Sequence, residues 1–265
     1  MEEKHFCFNT GALGEIWGRI HVPLARQCSL RCEYCSYKTD GNVTGDLWRP
    51  GTAGSTVESE AEIRAYLEEK LRKFSGVRII GVSGPGDPLE NMTALRTLVT
   101  VMTRDFPDTY LCICTNGSVY NADVQWLLEQ KVLRYITLTV NTMDPGKYPL
   151  IYGRYKDPAV PRDMWENQRR ILSACRENGV KVKINTVFLR GINDLEIPAL
   201  YAALGQEGVS CFNLMPHIDT KTGKDRDGDA CHALQCSLLR QNFPMMTRCK
   251  HCRADHCECG ASRKE

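Results

Sequence analysis

The stretch "RIHVPLARQCSLRCEYC", residues 19–35, joins two signals. Its first part, "RIHVPLA" (19–25), is a short apolar run that reads as a strand buried on both faces. Its second part, "CSLRCEYC" (28–35), sets Cys28, Cys32 and Cys35 directly behind that strand. Working outward, five more runs share the character of the first: "RIIGVS" (78–83), "YLCICT" (110–115), "YITLTV" (135–140), "KVKINTVF" (181–188) and "CFNLMPHI" (211–218). Helix-period stretches lie between them, at 59–74 and near 92–105, 121–130, 162–178 and 194–206. Repeated strand–helix alternation implies right-handed βαβ crossovers and a parallel sheet. Six units are too few for a closed eightfold barrel. The expected fold is α/β, a partial (β/α)6 TIM-like barrel whose site lies at the C-terminal ends of its strands.

Polar and turn chemistry gathers at those ends. "CSLRC" follows the first strand, "GPGDPLEN" (84–91) the second and "TNG" (115–117) the third. Asn141 ends the fourth, Asn185 lies in the fifth, and "MPH" (215–217) ends the sixth. The glycine-rich segment 36–57 and the polar segment 219–230 read as loops. The expected organisation is a barrel domain over 1–243, including an N-terminal segment 1–17, and a Cys-rich metal-binding tail over 244–265.

The chain has 265 residues, 42% hydrophobic and 25% charged, with a formal net charge of +2. That balance argues against a nucleic-acid partner. No apolar run approaches the roughly 18 residues a membrane span needs, and the N-terminus shows no leader pattern, so a cytoplasmic location is expected. Fourteen cysteines in that compartment point to metal or catalysis rather than disulfides, although about half of them suit ordinary core burial.

Structural zinc takes four ligands, usually as two spaced pairs. Three thiolates instead suit a four-iron cluster whose last iron stays open to a ligand. Zinc with a remote fourth ligand is the competing reading. In the tail, "CKHCRADHCEC" gives Cys249, Cys252, Cys257 and Cys259. So dense a group rarely serves packing, and either iron–sulfur or zinc fits it.

C-x3-C-x2-C behind the first strand of such a barrel resembles the radical S-adenosylmethionine (SAM) superfamily. The resemblance implies a [4Fe-4S] cluster on Cys28, Cys32 and Cys35 that binds SAM through its open iron. It also implies one-electron cleavage of the sulfonium to a 5′-deoxyadenosyl radical. Tyr34, before the third cysteine, is typical of that superfamily. Gly84, Pro85, Gly86 and Asp87 occupy the place of its motif for the cofactor's amino group, and Asn141, Asn185 and Met215 match positions near ribose and adenine. The bland alternatives are a plain strand-to-helix turn for the first group and turn-forming asparagines for the second.

"GVSGPGDPLEN", "LCICTNG", "KVKINTVFLRGINDLEI", "NLMPHI" and "CKHCRAD" further resemble, in order, segments of the NifB family of nitrogenase-cofactor maturases. This implies auxiliary iron–sulfur clusters, with His5, Cys112, Cys249 and Cys252 as ligands. It also implies oxygen-free chemistry, a reductant such as ferredoxin or flavodoxin, and cluster donor and acceptor proteins. The sequence departs from that family at Gly41 and Thr44, where a cysteine and a glutamate ligand are expected, and it adds Cys257 and Cys259. The departures leave carbide insertion open. They keep a second reading in play: a radical modifier of a peptide, RNA or metabolite, with the tail cluster as anchor or relay. A zinc-stabilised binding module without catalysis is the non-enzymatic alternative.

Overall fold

The computed structural model describes residues 4–8, 16–24, 28–30, 32, 34–35, 57–84, 86–153, 160–219, 224–246 and 262–263. In chain order these form β1 (Gly18–His21), α1 (Glu60–Lys73), β2 (Phe74–Ser75), β3 (Val77–Val82), α2 (Met92–Asp105), β4 (Tyr110–Thr115), α3 (Ala122–Leu128) and β5 (Leu133–Thr139). There follow α4 (Tyr148–Tyr152), α5 (Val160–Glu177), β6 (Lys181–Phe188), α6 (Ile197–Gly205), β7 (Cys211–Ile218), β8 (Asp225–Arg226), α7 (Gly228–Arg240) and β9 (Ser262–Arg263).

The main sheet runs β1-β3-β4-β5-β6-β7-β8. Its first six members pair in parallel, and β8 returns antiparallel on β7. The six parallel strands are the six sequence runs, curled as a partial barrel. Apolar residues alternate across each strand with residues of the opposite face. One set, including Ile20, Ile80, Ile113, Ile136, Ile184 and Phe212, joins the large core beneath the helices. α2 covers it with Leu95, Leu98, Val99 and Met102 on one side. The other set faces the lumen and is partly polar: Arg19, Thr137, Lys183, Asn185 and Asn213 are all buried. Gly81 makes room there, because a Cβ would lie 2.1 Å from the Arg19 guanidinium.

One expectation is revised. The segment 219–230 is not wholly loop: it contains β8 and the start of α7, whose buried Cys231 and Leu238 pack on the core. Alternating turn formers hid a helix that begins at a glycine. After α7, Met246 N donates to Phe212 O at 2.7 Å and Met245 is buried.

Candidate functional site

Cys28, Cys32 and Cys35 form no disulfide and lie half-buried on the segment that follows β1. A tight turn closes where Cys35 N donates to Cys32 O at 3.0 Å. The loop is tied to the segment after β3. Ser29 donates from both its backbone N and its Oγ to Glu90 Oε1, at 2.7 and 2.9 Å. Asn91 Nδ2 donates to Leu24 O at 2.8 Å, while its Oδ1 caps α2. "GPGDPLEN" therefore braces the cysteine loop as well as turning the chain. Gly84 has φ +31°, a value that favours glycine. Gly86 lies beside it, and Pro85 falls outside the described residues.

Cys28, Cys32, Tyr34 and Met215 pack against an apolar satellite cluster of Leu30, Tyr148, Tyr152, Met164, Val187 and Leu189. Burial pushes the Cys28 thiol far above its ordinary range, and the Asp87 and Glu90 carboxylates add to the effect. Burial likewise pushes Cys32 up to about 12, with Cys35 adding, while a hydrogen bond from Tyr34 pulls it back. Thiolates here call for nearby positive charge, which bound iron supplies. Three thiolates on one short loop suit a four-iron cluster with one iron left open, whereas structural zinc takes four ligands, so the chemistry of this donor set fits a cluster.

Asp87 sits beside the loop, 4% exposed. Its carboxylate accepts from Leu89 N (3.0 Å), Thr115 Oγ1 (2.8 Å) and Asn116 N (2.7 Å). Burial raises its pKa to about 6 against these three hydrogen bonds, which lower it. Its oxygens are thus engaged by protein donors, and it links the second strand end to the third. There Asn116 Nδ2 donates to Cys28 Sγ at 3.5 Å. Gly117 completes the turn at φ +70°, and an added Cβ would lie 2.7 Å from Leu138 Cδ1 and 2.9 Å from Gln168 Cγ. Gly117→Ala is therefore expected to cost about 2–3 kcal/mol, combining left-handed strain with overpacking. Thermal unfolding should show a drop on the order of 5–10 °C; an unchanged midpoint rejects the strain.

Asn141 Nδ2 donates to Tyr34 Oη at 2.8 Å, and its Oδ1 accepts from Val187 N at 2.9 Å. Asn185 Oδ1 accepts from Asn213 Nδ2 at 3.1 Å within the lumen. Sequence reasoning missed Asn193, which is fully buried. Its Nδ2 donates to Asn141 O and Val187 O, both at 2.9 Å, and its Oδ1 accepts from Leu189 N at 2.8 Å. The signal was the turn "GIND", with Gly191 at φ +75°.

His5 and Cys112 lie apart from this loop. His5 bridges to Trp17 before β1, and its ring packs edge-on to Tyr135 at 4.5 Å. Burial holds its pKa well below the ordinary value, and Arg19 and Lys183 lower it further. Cys112 joins Phe8, Tyr135 and Cys211 in a buried cluster. Its same-face neighbour Cys114 lies two residues on. Cys114 is pulled below its ordinary range, first by a hydrogen bond with Cys112, and then, against burial, by Arg19 and Lys183. Cys249, Cys252, Cys257 and Cys259 fall outside the described residues, as do Gly41 and Thr44.

With this geometry in hand, comparison with known proteins is informative. The Radical SAM superfamily pattern matches residues 22–204. The chain is 28% identical over 264 residues to the FeMo cofactor biosynthesis protein NifB of Chlorobaculum tepidum, covering 96% of this chain and 61% of that protein. It is 29% identical over 254 residues to the protein of the same name from Klebsiella pneumoniae, covering 90% and 53%. The chain thus spans about half to three fifths of the length of these relatives. Among solved structures, Streptococcus suis SuiB bound to precursor peptide SuiA superposes with a TM-score of 0.62 at 14% identity, covering 89% of this chain and 49% of that one. Methylornithine synthase (PylB) gives 0.60 at 16% identity, covering 88% and 63%. These two likenesses support the barrel fold.

Proposed function

The chain belongs to the Radical SAM superfamily, and on that premise we propose that Cys28, Cys32 and Cys35 hold a [4Fe-4S] cluster with one iron reserved for SAM. Bound there, cluster and cofactor supply one-electron cleavage of the sulfonium to a 5′-deoxyadenosyl radical. The observation that carries the assignment is the three-cysteine loop behind β1, with side-chain donors directed at Cys28 (from Asn116) and Cys32 (from Tyr34). In this reading the backbone of Gly84, Pro85, Gly86 and Asp87 receives the cofactor's amino group. Asn141, Asn185 and Met215 would approach the ribose and adenine, with Met215 seated on the apolar cluster of Tyr148, Tyr152 and Met164.

The finer proposal is a role in assembling a complex iron–sulfur cofactor of the kind for which its NifB relatives are named. His5, Cys112 and the tail cysteines Cys249, Cys252, Cys257 and Cys259 would serve auxiliary clusters. Neutral imidazole at His5 suits metal ligation. A ferredoxin or flavodoxin would supply the electron, and cluster donor and acceptor proteins would be the partners, in the cytoplasm. Among the described residues no helix is long and apolar enough to cross a membrane. Gly41 and Thr44 favour one second reading, radical modification of a peptide, RNA or small metabolite with the tail cluster as anchor or relay.

Oxygen-free purification with iron and sulfide counts tests the cluster assignment, and 5′-deoxyadenosine release under reductant tests the cleavage. A colourless zinc protein rejects both. Transfer of labelled iron and sulfide into a larger cluster distinguishes cofactor assembly from the second reading.

A further inference from the structure

We propose that Asn116 is a positioning residue that sets the reduction potential of the cluster through an N–H···S hydrogen bond to Cys28. The inference rests on the cluster assignment above and deepens it. Asn116 is held at its other polar atoms. Its backbone N donates to Asp87 Oδ2 at 2.7 Å, and its backbone O accepts from Gln168 Nε2 at 2.7 Å. Its side-chain Oδ1 accepts from Ser118 N at 2.7 Å. That last contact fixes the orientation of the amide, because the oxygen must face the Ser118 N–H. The NH2 group is left to face outward, and it meets Cys28 Sγ at 3.5 Å.

The neighbouring sulfur is treated in the same way. Tyr34 Oη accepts from Asn141 Nδ2 at 2.8 Å, which directs its own proton elsewhere, and it hydrogen-bonds Cys32. Cys28 and Cys32 therefore each have a donor anchored on a different strand end. Hydrogen bonds to cluster sulfurs tune the potential. A donor favours the reduced cluster, which carries more negative charge, over the oxidised one. Asn116 thereby makes the centre easier to reduce. Asp87 holds the donor in place from the second strand end, a role the turn motif alone does not reveal.

The test is a potentiometric titration of the reduced-cluster electron paramagnetic resonance signal in the wild type and in Asn116→Ser. Serine is neutral and can retain a turn contact to Ser118 N, but it is too short to reach the sulfur. At fixed applied potential the reduced-to-oxidised ratio should fall roughly tenfold, about 59 mV for a one-electron couple, with iron content unchanged. An unchanged ratio overturns the proposal. Should the variant fail to load iron, the wild type decides alone: with 15N-labelled asparagine side chains, pulsed resonance of the reduced cluster should show a nitrogen coupling, and its absence overturns the proposal. A wild-type chain that assembles no four-iron cluster fails the parent assignment instead, so the two failures are distinguishable.

Discussion

Cys32→Ala is expected to lower 5′-deoxyadenosine release by at least about a hundredfold, since even the outer-shell partners of metal ligands are worth on the order of 10–100-fold. The loss should be local. Cys32 packs in the satellite cluster with Leu30, Tyr34 and Met215, apart from the large core of strands and helices. Removing one partly exposed sulfur from that rim should cost about 1 kcal/mol. The thermal midpoint of the iron-free protein should then move by no more than roughly 4 °C. Release at the wild-type level would remove Cys32 from the cluster. A collapsed fold would show that the loop supports the barrel, contrary to the packing.

The second large effect is at Asp87. Alanine there strands three buried donors, Leu89 N, Thr115 Oγ1 and Asn116 N. Each stranded donor costs about 1–3 kcal/mol, and loss of the buried carboxylate offsets part of that. The net loss should be about 3–5 kcal/mol, on the order of 10 °C in thermal midpoint. Iron retention should fall with it, because Asn116 and the loop it faces lose their anchor. A wild-type midpoint would show the donors finding other partners.

The same group carries a pH signature. Its folded pKa, about 6, lies above the ordinary 3.8. Between those values the folded state holds a proton that the unfolded state has released. The resulting stabilisation is complete below the unfolded value and is lost as pH rises through about 6. In the iron-free protein, the stability difference between wild type and Asp87→Asn should shift against the wild type from about pH 4 to about pH 7. A flat difference across that interval contradicts a raised carboxyl.

The partial barrel was legible because its signals are local. Each parallel strand is buried on both faces and so is written as a short apolar run, and the glycine turns after β3 and β4 mark strand ends. α7 was not legible, since its start carries no side-chain cap and follows a polar hairpin. The three-cysteine loop was legible for another reason: ligands of one site supplied by one loop are close in sequence. Asp87 could be singled out from its motif, but its partners could not. Thr115 and Asn116 are separated from it by 28 and 29 positions, and Asn116 from Cys28 by 88. The amide that faces a sulfur, the Asn193 brace between strand ends and the Cys112–Cys114 pair beside Arg19 and Lys183 arise only when parallel strands come into register. Spacing along the chain thus determined the barrel and the loop that crowns it. Tertiary structure decided which donors reach that loop, because hydrogen bonds are specified by distance and direction in space and leave no periodic trace in the sequence.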